Sequence, residues 1–79
     1  METLVFDRIT VDPEKMNGQP CVRGMRLTVR RLLELLALYP DRDELLREFS
    51  EIEDEDIDQV LRFAATRLDP DATPARAAS

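Results

Sequence analysis

The chain holds few groups able to move protons or attack an electrophile, and many able to grip a charged partner. It has no histidine, one cysteine, one tyrosine and one lysine. Without histidine, acid–base catalysis falls to carboxylates, Lys15, Tyr39 or Cys21. Lys15 and Tyr39 have no base beside them in sequence, and Ser50 has no histidine to activate it. Cys21 adjoins Val22 in a β-prone piece, the setting of a small buried thiol rather than a nucleophile. The run Asp54-Glu55-Asp56-Ile57-Asp58 opens like a calcium loop, but such a loop needs glycine at its sixth position and glutamate at its twelfth. Gln59 and Ala65 stand there instead. The reading is of a protein that is not an enzyme, with no catalytic residue, cofactor or metal site assigned.

What remains is charge. Arg23, Arg26, Arg30 and Arg31 crowd into nine residues. Guanidinium forks gathered in this way suit phosphates or carboxylates, so these four are the expected nucleic-acid-binding residues. Their alternative role is to pair with the chain's own acids. Glu51, Asp54, Asp56 and Asp58 are the expected acidic contacts for a basic protein partner. Acids in a first helical turn also favour the positive end of the helix dipole, and the two roles are compatible. Residues 1–35 carry six Lys/Arg against five Asp/Glu, whereas residues 36–79 carry five against twelve. The net charge of −6 is therefore a polarity, with a basic opening half and an acidic remainder.

The elements that must position these residues can be read from periodicity. Leu4, Phe6 and Ile9 to Val11 suggest a short strand closed by Asp12-Pro13. Asn17-Gly18 signals a turn, and Cys21-Val22 with Met25 to Leu27 are β-prone pieces joined by a tight turn at Arg23-Gly24. Val29, Leu32, Leu33, Leu36 and Ala37 form a helical stripe, with Thr28 as N-cap and Pro40 as stop. A second stripe through Leu35 and Tyr39 widens the apolar arc beyond one core face, so Leu35, Leu38 and Tyr39 are expected at a partner or dimer seam. Asp41 and Glu44 fit the cap of a short second helix that turns Leu45, Leu46 and Phe49 inward. A third helix carries Ile57, Val60, Leu61, Ala64, Ala65 and Leu68 in register. The fold class expected is mainly α, with a short N-terminal β-hairpin before a three-helix bundle. Residues 1–68 form one domain and residues 69–79 a disordered tail. The N-terminus has no signal-peptide pattern and no apolar run is long enough to span a bilayer, so a cytoplasmic protein without membrane contact is expected.

Arg8-Ile9-Thr10-Val11-Asp12-Pro13, then Asn17-Gly18-Gln19-Pro20-Cys21-Val22-Arg23-Gly24-Met25-Arg26-Leu27-Thr28-Val29, closely resembles the domain-of-unknown-function 433 family. That pattern runs as an Arg-Ile-Thr strand, a Gly-x-Pro-Cys-x-x-Gly-x-Arg turn, a leucine-rich helix and an acidic helix start, here Glu55-Asp56-Ile57. The resemblance spans roughly residues 6–68. It implies a homeodomain-like, helix-turn-helix-like bundle and a bacterial VapB-type antitoxin. Such a protein sequesters a PIN-like ribonuclease toxin and commonly represses its own promoter as a dimer. The chain departs from the pattern at Glu53, where threonine is usual, and at Ser50, where proline is common.

These readings combine into one expectation: an antitoxin of a type II toxin–antitoxin pair whose acidic half covers the basic rim of an RNA-cleaving partner. Binding to its own promoter DNA as a homodimer would use the arginines. A recognition role for the third helix is disfavoured, because Glu53 to Asp56 would meet phosphates at its first turn. The alternatives are a DNA-binding repressor without a toxin, and a structural homo-oligomer or adaptor.

Overall fold

The computed structural model describes residues 1–68, and the tail expected at 69–79 lies outside the described residues. Three strands, β1 (Thr3–Phe6), β2 (Ile9–Val11) and β3 (Cys21–Val22), form an antiparallel sheet in the order β1-β2-β3. Three helices follow: α1 (Val29–Leu38), α2 (Arg42–Glu48) and α3 (Asp54–Leu68). The chain is mainly α, with a small sheet at its N-terminus. Among the described residues no helix is long and apolar enough to cross a membrane.

The single strand expected over residues 4–11 is two strands, folded back at Asp7-Arg8. That turn lacks glycine or asparagine, so nothing local announced it. The Arg23-Gly24 turn is as expected. Both residues have positive φ (47° and 74°), and the Met25 amide closes the turn onto the Val22 carbonyl at 2.8 Å. Met25 to Leu27 do not form a strand. One bridge, Cys21 to Thr28, continues the pairing, with the Val22 amide bonded to the Leu27 carbonyl at 2.9 Å.

Gly24→Ala is expected to cost about 1 kcal/mol, because its φ of +74° lies where a side chain is strained. An added Cβ would also come 2.5 Å from a Glu2 carboxylate oxygen, but that is the tip of a side chain that can swing away. Urea unfolding of Gly24→Ala with and without Glu2→Ala separates the two causes. An equal deficit in both backgrounds identifies backbone strain.

α1 begins where the sequence places it. The Thr28 hydroxyl accepts a hydrogen bond from the Arg31 amide at 3.0 Å, and Pro40 follows the last turn. Asp41 caps α2 through the Asp43 amide at 3.0 Å. Val29, Leu32 and Leu35 of α1, Leu45 of α2, and Ile57, Val60 and Phe63 of α3 meet over Ile9 and Val22 of the sheet. The core face of α3 is rotated from the expected stripe. Phe63 is buried and set edge-to-face on Phe6, with ring centroids 5.6 Å apart, whereas Leu61 and Leu68 are exposed. The sheet lies on the Phe63 side, and its contact decides which of two neighbouring apolar arcs turns inward.

Candidate functional site

The register of β2 and β3 pairs Ile9 with Val22, so the residues flanking that pair, Arg8 and Arg23, sit together at one end of the sheet. The Arg23 amide bonds to the Arg8 carbonyl at 2.8 Å. Both guanidinium groups then converge on one carboxylate, Asp56, in the first turn of α3. Arg23 is bidentate, with Nε donating to Oδ1 at 3.0 Å and Nη2 to Oδ2 at 2.8 Å, while Nη1 of Arg8 reaches Oδ1 at 2.9 Å. Oδ2 also accepts from the Glu53 amide at 2.9 Å, the reciprocal half of a capping box. Arg23 donates further to the Glu51 carbonyl at 2.7 Å, and Arg8 to Glu53 at 2.6 Å.

Asp56 is fully buried, with 0% of its surface exposed. Burial by itself pushes its carboxyl upward; the hydrogen bonds from Arg23, the Glu53 amide and Arg8 outweigh this and hold it below the ordinary 3.8. The hydrogen bonds that Arg8 donates to Glu53 and Asp56 keep it firmly protonated, and the bond to Asp56 does the same for Arg23. The cluster joins the sheet end to the start of α3. It corrects two expectations at once: Arg23, assigned to nucleic acid, and Asp56, assigned to a protein partner, are bound to each other, with Asp56 fully buried and Arg23 capping it from the surface. The left-handed φ of Arg23 is held by this pairing.

The other expected residues divide into separate surfaces. Arg26 has no ion pair with a carboxylate among the described residues, and its guanidinium donates a long hydrogen bond to Met16 Sδ at 4.0 Å. Arg30 and Arg31 are exposed and share one acid, Glu34, at 2.8 Å and 3.3 Å. Arg26, Arg30 and Arg31 therefore remain as surface cations once Arg23 is committed to Asp56. Asp54 and Asp58 stay exposed and line a shallow cleft with Glu55 and Arg42. Arg42 pairs with Asp54 at 3.0 Å and Arg62 with Asp58 at 2.9 Å, but exposed pairs of this kind are weak and exchangeable. Glu51 is not part of that cleft; it lines a groove with Arg26 and Arg31.

The expected seam residues also separate. Leu35 is 2% exposed and belongs to the core, Tyr39 is half-buried edge-to-face on Phe49, and Leu38 stands 66% exposed. Cys21 is buried, and burial raises its thiol above the ordinary value, which disfavours the reactive thiolate. Lys15 is held by the Gly24 carbonyl and by Glu2.

Arg8 and Asp56 come from opposite ends of the sequence pattern described above, and here they are in contact. The family described as Protein of unknown function (DUF433) matches residues 9–64. The chain belongs to the DUF433 family. No curated protein and no solved structure matches it. For this DUF433 chain, the joint made by Arg8, Arg23 and Asp56 accounts for the placement of its strand, its turn and its acidic helix start.

Proposed function

We propose that this DUF433 protein is an antitoxin that binds and neutralises a PIN-like ribonuclease toxin and represses its own promoter as a dimer in the cytoplasm. The observation that carries the reading is the division of the remaining surface charge. Arg26, Arg30 and Arg31 lie around the start of α1, while Asp54, Glu55 and Asp58 lie at the start of α3. A ribonuclease that accepts RNA presents a basic rim, which suits the acidic surface. The resemblance of Gly18 to Arg26 to VapB-type antitoxins supports the same reading, and three short helices after a β element suit a homeodomain-like arrangement.

The promoter surface belongs on the arginine side. The first turn of α3 exposes Glu53, Asp54 and Glu55, which would repel phosphates if that helix entered a groove. Arg26, with no carboxylate to satisfy it, is the best placed of the cations. Replacing Arg26 and Arg30 with alanine is expected to weaken promoter binding for all sequences alike. The slope of log K against log salt should fall by about 2, one for each phosphate no longer neutralised. Gel shifts over a salt series measure this, and an unchanged slope removes DNA from the proposal. Co-expression with a PIN-like ribonuclease from a neighbouring gene tests the toxin arm: a stable complex and suppressed RNA cleavage are expected, and the absence of such a neighbour or of a complex overturns it.

A further inference from the structure

One flank of α1 carries both a projection and a hollow. Arg31, Glu34, Leu35 and Leu38 fall at i, i+3, i+4 and i+7 and so share one face. Near the N-terminal end of that face lies a groove of about 320 Å³ with Leu27, Leu35, Phe49 and Ile52 on its floor and Arg26 and Arg31 on its rim. Near the C-terminal end Leu38 projects, 66% exposed and with no apolar cover. Projection and hollow share one strip of surface, Leu38 standing three residues past Leu35 on the floor and seven past Arg31 on the rim.

We infer that the groove receives Leu38 of a second copy of this chain, in a two-fold dimer built on antiparallel packing of α1 against α1. A two-fold interface must be self-complementary, and this strip is. With the axis passing between Glu34 and Leu35, Leu38 of each copy comes level with Arg31 of the other. Side chains on a helix lean toward its N-terminus, so that Leu38 tips into the opposing groove. Charge selects the same orientation. Arg26, Arg30 and Arg31 surround the start of α1, while Asp41 and Asp43 follow its end. Antiparallel packing lays basic start over acidic end; parallel packing would set like on like. The apolar contact also covers the groove floor of a domain whose own core is small for its length. A second groove, between α1 and α3, is lined by Val29, Leu33, Phe63, Ala64 and the exposed Leu68, and lies outside this strip of α1.

The inference rests on the proposed dimer and names its seam. Sedimentation velocity over a concentration series should show a reversible dimer for the wild-type chain. Leu38→Glu should weaken it by about 100-fold, because a charge would have to enter the apolar groove. Since Leu38 is exposed, its far-UV circular dichroism melt should match the wild type. Glu34→Cys should give a disulfide-linked dimer on mild oxidation, the residue lying beside its own copy across the axis. Glu55→Cys and the wild type, with Cys21 buried, should not. A dimer that survives Leu38→Glu and does not cross-link at position 34 overturns the seam and leaves the dimer standing. A wild-type chain that stays monomeric overturns both.

Discussion

Asp56→Ala is expected to remove about 3 kcal/mol of stability, because it leaves two arginines facing a site built for a carboxylate. A domain of this size holds about 5 kcal/mol in all, so the variant should keep about 2 kcal/mol, staying mostly folded at ambient temperature but unfolding at much lower urea. The magnitude follows from the asymmetry of a buried pair. Forming it gains little over an apolar equivalent, but removing the buried partner takes the shared acceptor from both guanidinium groups, of which Arg8 keeps Glu53 and Arg23 is left with the Glu51 carbonyl. Here the substitution also frees the Glu53 amide at the start of α3 and detaches the β2–β3 end of the sheet from that helix. Arg23→Ala should cost less, since Arg8 still answers the carboxylate. Urea unfolding of both variants near neutral pH, followed by far-UV circular dichroism, gives the comparison. An Asp56→Ala protein within 1 kcal/mol of the wild type would remove the cluster from the account of the fold.

The same carboxylate sets the acid limb of stability. Its value in the folded protein is lowered below the ordinary 3.8. A group so shifted contributes stability that is fully present above its unfolded value and lost as the pH falls through the lower folded one. Stability should therefore decline below about pH 4, and Asp56→Asn should flatten that decline while lowering the plateau above it. Asp12 contributes with the same sign, its carboxylate being lowered chiefly by a hydrogen bond from the Glu14 amide.

What could be read from the sequence follows from the range of the forces involved. Thr28, Pro40 and the Arg23-Gly24 turn act within four residues of themselves, and each is where the residue types place it. The position of Asp56 was also written locally, though less plainly. It precedes Ile57 and sits four and seven residues before Val60 and Phe63, an acid on the buried arc of an amphipathic helix. Its partners were not legible. Arg23 and Arg8 lie 33 and 48 positions away, and only the pairing of Ile9 with Val22 brings them side by side. Charge counted along the chain therefore assigned both groups to the surface, where most such groups belong. The rotation of α3 has the same origin: Phe63 and Leu61 offer competing apolar arcs, and the sheet, not the helix, chooses between them.

That correction sharpens the largest kinetic effect expected of the acidic surface. Reversing Asp54, Glu55 and Asp58 to lysine, with Asp56 left intact, should slow association with the ribonuclease at least tenfold at low ionic strength. The three line one cleft and are exposed, so they act on encounter more than on the final contact. Dissociation should change little. The deficit should shrink with added salt, as screening shortens from about 30 Å at 0.01 M to about 8 Å at 0.15 M. Removing acids from the first turn of α3 costs about 0.3–1 kcal/mol each through the helix dipole, so the variant must first be shown folded by its thermal melt. Stopped-flow association over a salt series then separates steering from stability. A folded triple variant that associates as fast as the wild type would move the toxin contact off α3. The apolar groove of α1 would then be contested between a toxin and the second copy. Including Asp56 in the reversal would spoil the experiment, since its charge is already neutralised within the fold and its removal would be read as slow binding when the cause is unfolding.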